Sequence, residues 1–258
     1  MGFAVMHLTK SSSSSSGSLG NHIDRVIEPK NADKKRQHLN QYFHPDTFEF
    51  NNTKPKLSLN KRVAERIKEG YTKPAKIRSN AVRSINFIFT GTHEDMKEIS
   101  KDPKQKNQWI KKNFMFLQEQ FGGSENIVSF ALHDDERSLH VHATVVPITV
   151  GENPGRLSAR DYINGRKRLK ELQDIYAKKM KEFGLKRGIP DGKVKHMTTA
   201  EYYKELNNSV KLGKNLTPEQ KLKLADKVIA EHIKRSVEAK KTPNFDKNYR
   251  SKSNRKSL

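Results

Sequence analysis

Ile127-Val-Ser-Phe-Ala-Leu-His-Asp-Asp-Glu-Arg-Ser-Leu-His-Val-His-Ala-Thr-Val-Val-Pro147 decides how this chain is built. Side chains two apart on a strand share a face, so His140 and His142 project together while Val141 points the other way. Residues 127–133 read as a preceding strand, and the polar run Asp134 to Ser138 has the length of a hairpin loop. Closing that hairpin brings His133 at the end of one strand beside the His140/His142 pair on the other. Three imidazoles facing one way suit Mn, Fe, Ni, Cu or Zn and leave positions for a phosphate oxygen and water. A cupin site also uses His-x-His, but its carboxylate follows within a few residues; here the next acid after His142 is Glu152.

The rest of the chain points to a polyanionic partner. In 258 residues there are 51 Lys+Arg against 29 Asp+Glu, a formal net charge of +22, with a hydrophobic share of 33%. Such a chain binds DNA with steep salt dependence through counterion release. Charge alone establishes only polyanion affinity, which acidic membranes also satisfy. No cysteine is present, which excludes disulfides and thiolate zinc sites and suits a reducing cytoplasm. The sequence has no apolar run of membrane-spanning length and no signal-peptide core.

Outward from the hairpin, periodicity predicts further elements. Residues 3–8 and 81–90 alternate as strands, and Ser11 to Gly20 reads as a small-residue loop before Asn21-His22. Residues 30–60 carry mixed polar and turn signals, followed by a short basic helix over 61–69. Ile110, Phe114, Leu117 and Phe121 recur at helical spacing before Gly122-Gly123. Leu169, Leu172, Tyr176, Met180 and Phe183 define a second amphipathic helix closed by Gly184. Capping-box spacing at Thr198–Glu201 and Thr217–Gln220 predicts helix starts. The domain reading is a catalytic domain over residues 1–206, a linker over 207–216, a C-terminal helix over 217–242 and a disordered basic tail over 243–258. The expected fold class is α+β: an antiparallel sheet with helices on one face and the metal site on the opposite, DNA-facing side.

The run from His133 to Pro147 resembles the metal-binding motif of the Mob/Pre (MobV-type) plasmid mobilisation relaxases, members of the His-hydrophobic-His endonuclease superfamily. Asn21-His22-Ile-Asp-Arg25 and Arg36-Gln-His38-Leu-Asn40 are similar to that family's first motif. Lys76-Ile-Arg78, Arg156-Leu-Ser158 and Lys195-His196-Met-Thr-Thr-Ala-Glu201 follow in the family's order. The resemblance covers residues 1 to about 205. Two positions depart from it: Leu139 stands where a proline usually precedes the His-x-His pair, and Gln41 where a tyrosine often follows the Arg-x-His-Leu-Asn run, with Tyr42 one place later.

The resemblance implies a relaxase that nicks one DNA strand at an origin of transfer and retains the broken bond's energy as a covalent 5′-phosphate link to His22. It assigns the metal to His133, His140 and His142; the expected ion is Mn²⁺ first and Mg²⁺ second. Glu136 either orients the His22 ring or serves as a fourth ligand. Arg25, one turn from His22 if that segment is helical, and Arg78 are candidate phosphate clamps or ordinary phosphate contacts. Arg36, His38, Asn40, Lys76, Lys195 and His196 are candidate DNA contacts. Conjugation coupling machinery is an implied partner. Two readings compete: the same metal site with Tyr42 or Tyr71 as nucleophile, and a non-catalytic origin-binding module. His7, His44, His93 and His232 have no partner pattern and read as structural or surface residues.

Overall fold

The hairpin at the centre of the sequence forms with the predicted register. Strand β5 (Ile127–His133) pairs antiparallel with β6 (His140–Val145), and His133 lies directly opposite His140. The computed structural model describes residues 2–188 apart from 13–16, 30–31, 45–46 and 48, within a unit of residues 1–190.

Around this pair the chain builds a seven-stranded sheet in the order β3-β2-β5-β6-β4-β1-β7. The outer strands are β1 (Phe3–Ser11), β2 (Gln41–His44), β3 (Glu49–Asn51), β4 (Ser84–Gly91) and β7 (Lys186–Arg187). All neighbours are antiparallel except the short β1–β7 pair. Both metal-motif strands are therefore interior, each with a neighbour on either side, so neither can slip without flipping its buried side chains outward.

Period-two alternation separates the two faces. Ile85, Phe87 and Phe89 of β4, Phe130 and Leu132 of β5, and Val141, Ala143 and Val145 of β6 enter one core. That core is roofed by α3 (His93–Lys101), α4 (Pro103–Gln120) and α6 (Gly165–Met180), through Met96, Ile110, Phe114, Leu117, Leu172, Tyr176 and Met180. The predicted α4 stripe is thus core throughout, as are Leu172, Tyr176 and Met180 of α6, whereas Leu169 is 37% exposed and Phe183 lies past the helix end, partly buried. Gly122 and Gly123 follow α4 with φ of 82° and 96°, in the left-handed region that favours glycine.

The opposite face carries the histidines together with two smaller helices. Ile23 of α1 (Gly17–Ile23) and Leu59, Val63 and Ile67 of α2 (Leu59–Gly70) pack with Tyr42, Val128, Ala131, Val146 and Ile148 in a second core. The main helical layer lies on one face as the alternation required; α1 and α2 add a partial layer on the other, beside the histidines.

Other boundaries shift for identifiable reasons. Strand β1 runs on to Ser11 because it pairs with β4 along its length, ending at Ser11↔Ser84. The loop expected from Ser11 to Gly20 is correspondingly shorter: α1 begins at Gly17 and includes His22, while 13–16 lie outside the described residues. Residues 30–60, read as turns, contain a 3₁₀ helix (Lys34–Leu39), β2 and β3, all too short for a periodic signal. Short α5 (Ala159–Tyr162) was likewise invisible. Lys195, His196, the linker, the C-terminal helix and the tail lie outside the described residues.

Candidate functional site

Four histidines converge on the partly roofed face. His133, His140 and His142 come from the β5–β6 hairpin, and His22 comes from the last turn of α1. Each offers one ring nitrogen within 4.8 Å of the others'. Ring centroids are 5.1 Å apart for His133/His140, 5.0 Å for His133/His142, 4.9 Å for His140/His142 and 5.0 Å for His22/His142.

Hydrogen bonds settle which nitrogens are available. His133 Nε2 lies 2.9 Å from the Ile23 carbonyl, which can only accept, so Nε2 carries the proton and Nδ1 keeps its lone pair. That Nδ1 is buried and has no hydrogen-bond partner among the described residues, an arrangement that costs stability unless something electrophilic sits there. His140 Nδ1 is 2.8 Å from the Ser138 carbonyl and by the same logic donates, leaving Nε2 facing inward. Metal-binding imidazoles are commonly oriented by donation of the second N–H to a carbonyl. The donor set therefore fits a divalent transition metal.

Burial disfavours the charged form of His22, His133 and His142. It pushes the pKa of His133 and of His142 well below the ordinary 6.5, with the neighbouring His140 reinforcing the shift. His22 is also held below 6.5, first by burial and then by the Arg25 charge, with Glu136 partly opposing. Its side chain is 34% exposed, against 13% for His140, so it is more open to an incoming group.

Glu136 occupies the space between His22 and the hairpin, although it is not one of the mutually close set. Its Oε1 is 3.8 Å from His22 Nε2 and 3.9 Å from His140 Nε2. Arg25 holds it there: Nη2 donates to Glu136 at 2.6 Å and to Asp135 at 2.7 Å, Nε donates to Asp135 at 2.9 Å, and Nη1 donates to the His22 carbonyl at 2.8 Å. Arg25 has φ of 52°, in the left-handed region, which turns the chain at the end of α1 so that its side chain goes inward. The side chain is 1% exposed. A guanidinium so committed ties the end of α1 to the hairpin loop and is not presented as a phosphate clamp. Burial pushes Asp135 up, but hydrogen bonds and charge from Arg25 outweigh it and hold the carboxyl below its usual range.

Other residues fall into place less directly. Asn40 is buried and accepts from the Asp134 backbone N–H at 2.8 Å, and Arg36 donates to Asp134 at 2.6 Å. Both side chains brace the hairpin loop through Asp134, and the Arg36 side chain remains 42% exposed. His38 is exposed on the 3₁₀ helix, and Lys76 and Arg78 are exposed between α2 and β4. Tyr42 is buried in the second core, and burial pushes its phenol up to about 12. Tyr71 donates to the Ala75 carbonyl at 2.6 Å. Asp135 was not anticipated; a spacing rule cannot find it because its partner is 110 residues away in sequence.

Comparison with known proteins agrees with this arrangement. A family described as plasmid recombination enzyme, Mob_Pre, matches residues 1–204. A 65 kDa protein of Zymomonas mobilis is 30% identical over 191 residues, 74% of this chain and 30% of that protein. Plasmid recombination enzyme type 3 of Staphylococcus aureus is 27% identical over 206 residues, 78% of this chain and 46% of the enzyme. The chain thus spans less than half the length of either relative. Among solved structures, the MobM relaxase domain bound to plasmid origin-of-transfer DNA, in a Mn-bound crystal form, superimposes with a TM-score of 0.67 at 25% identity, covering 79% of this chain and 98% of that domain.

Proposed function

The chain belongs to the plasmid recombination enzyme (Mob/Pre) family, and from that premise we propose that it is a relaxase: it nicks one DNA strand at the origin of transfer of a mobilisable element by transesterification. The observation that carries this reading is His22, the most exposed of the four clustered imidazoles, its pKa held below 6.5 and one of its ring nitrogens within 4.8 Å of one from each of the three hairpin histidines. The S. aureus relative is a plasmid recombination enzyme and the superimposable domain is a relaxase bound to origin DNA, which supports the assignment.

In this reading His133, His140 and His142 hold a divalent metal, with Mn²⁺ favoured because the MobM domain is Mn-bound. When bound, that ion supplies Lewis-acid polarisation of the scissile phosphate and stabilises charge on the departing 3′ oxygen. A neutral His22 nitrogen attacks phosphorus; a P–N bond forms as the P–O3′ bond breaks, and the 5′ strand stays attached to the protein. The imidazole must shed the proton on its other nitrogen, and Glu136 Oε1, held by Arg25 near the His22 ring, is the acceptor that orients it. Arg25 acts through Glu136 and is a positioning residue. DNA approach is served by the excess of 51 Lys+Arg over 29 Asp+Glu, with Lys76, Arg78 and His38 as exposed contacts. We place the activity in the cytoplasm, where plasmid DNA is met; among the described residues no helix is long and apolar enough to cross a membrane. A tyrosine nucleophile is disfavoured: Tyr42 is buried with its phenol held protonated, and the Tyr71 hydroxyl is engaged.

One competing reading rests on the same geometry. Four mutually close imidazoles would also suit a metal-stabilised DNA-binding module in which His22 is a fourth ligand. Supercoiled plasmid carrying the cognate origin separates the two. Mn²⁺-dependent relaxation abolished by EDTA supports the relaxase; binding without nicking on a verified origin supports the module.

A further inference from the structure

His140 is oriented by a carbonyl, and that carbonyl belongs to a turn gripped from outside the hairpin. His140 Nδ1 donates to Ser138 O at 2.8 Å. The Ser138 hydroxyl is in turn 2.7 Å from His93 Nδ1, at the first residue of α3. One residue on, the Leu139 carbonyl accepts from the Thr90 hydroxyl at 2.9 Å, near the end of β4. Both grips come from residues 90–93, the junction of β4 with α3. The junction is itself tied down: Thr92, at the N-cap position of α3, makes no side-chain cap, and its hydroxyl accepts from the Phe3 N–H of β1 at 2.8 Å.

We propose that the β4–α3 junction is a positioning element for the metal site: Thr90 and His93 hold the Ser138–Leu139 turn so that its carbonyl keeps His140 Nε2 aimed at the other histidines. This rests on the metal reading above and extends it to residues that carry no ligand atom. The reasoning is energetic. The turn joins a six-residue polar and apolar loop to β6, and a loop of that kind samples several backbone states unless hydrogen bonds choose one. A ring flip of His140 gives up the Ser138 acceptor and exchanges Nε2 with Cε1, so that a C–H and not a lone pair faces the other histidines. Two grips on adjacent residues remove that freedom before any ion arrives, so the site is preorganised and not assembled by binding. His133 obtains the same service from the Ile23 carbonyl at the end of α1, so each of these two ligands is locked by a different neighbouring helix end.

Calorimetric titration of the purified chain with MnCl₂ tests this, using wild type, Thr90→Val, His93→Ala, His93→Asn and the ligand variant His142→Ala. Melting in EDTA establishes that each is folded. Mn²⁺ electron paramagnetic resonance gives a second readout, since a loosened ligand broadens the zero-field pattern where lost stability alone does not. Thr90→Val and His93→Ala should each weaken Mn²⁺ binding about 10-fold or more, the range typical of outer-shell partners. His93→Asn, which offers an amide near the position of Nδ1, should stay close to wild type. Wild-type affinity in both Thr90→Val and His93→Ala, while His142→Ala loses binding, overturns the positioning role and leaves the metal site standing. Absence of His142-dependent Mn²⁺ binding in wild type overturns both.

Discussion

His133 and His140 are direct cross-strand partners of the β5–β6 pair, their ring centroids 5.1 Å apart. Opposed residues on one sheet face are the closest neighbours a sheet provides, and His142, two residues on, shares that face. The metal site therefore derives from hairpin register. Moving β6 by one residue would send His140 and His142 into the apolar core that Val141 and Ala143 now fill.

Removing one hairpin ligand should abolish metal-dependent stabilisation. A ligand that binds only the folded state adds about 2.7 kcal/mol at one hundred times its dissociation constant. We expect MnCl₂ to raise the melting temperature of wild type and to leave that of His142→Ala unchanged, in thermal melts with and without EDTA. Equal stabilisation of both proteins would place the ion elsewhere.

Arg25 should matter for folding as much as for chemistry. Its side chain and that of Asp135 are 1% and 0% exposed, and removing one partner of a buried pair leaves an uncompensated charge costing about 3–5 kcal/mol. Urea denaturation of Arg25→Ala should show a loss of that size. Arg25→Lys should recover only part of it, since one ammonium cannot reproduce the contacts made by Nε, Nη1 and Nη2. A loss under ~1 kcal/mol, the range of a surface pair, would contradict the buried lock.

Without metal, stability should fall on the acidic side of neutrality. His133 and His142 have folded pKa values well below 6.5 because burial penalises their charged forms. Below the unfolded value of about 6.5 the unfolded chain binds more protons than the folded one, so stability decreases as pH falls through that window. Above it these groups contribute no slope. Urea midpoints in EDTA from pH 8 to pH 5 measure this; a midpoint rising as pH falls below 6.5 would refute the buried, neutral assignment.

A site remote from the chemistry gives an independent test of the packing. The Tyr176 hydroxyl is fully buried without a hydrogen-bond partner among the described residues, whereas Tyr162 donates to the Ile148 carbonyl at 2.6 Å. Leaving a polar group unsatisfied costs about 1–3 kcal/mol, so Tyr176→Phe should be neutral or stabilising. Tyr162→Phe should destabilise by about 1 kcal/mol. The reverse order in paired chemical melts would mean that Tyr176 has a partner.

Legibility in the sequence follows the range of the interactions. The hairpin was readable because its alternation, its polar loop and its histidine spacing all lie within residues 127–147, and α4 and α6 because their stripes are long. The contacts of Arg25 were not legible because they depend on a left-handed turn at φ 52° and on Asp135 and Glu136, more than 100 residues away. The bonds of Arg36 and Asn40 to Asp134 were likewise hidden, since they join residues more than 90 apart in sequence. His93 had no sequence partner; its partner Ser138 meets it only once β4 lies beside β6.

With His22 as the nucleophile the cut strand ends on its imidazole, and the mass of the modified peptide reports this. The chain is incubated with Mn²⁺ and a single-stranded oligonucleotide spanning the cognate nick, quenched at alkaline pH to preserve a P–N bond, digested and sequenced by tandem mass spectrometry. A nucleotide adduct is expected on the peptide carrying His22, absent with EDTA and absent in His22→Ala. An adduct on Tyr71 or Tyr42, or an adduct that survives in His22→Ala, would contradict it.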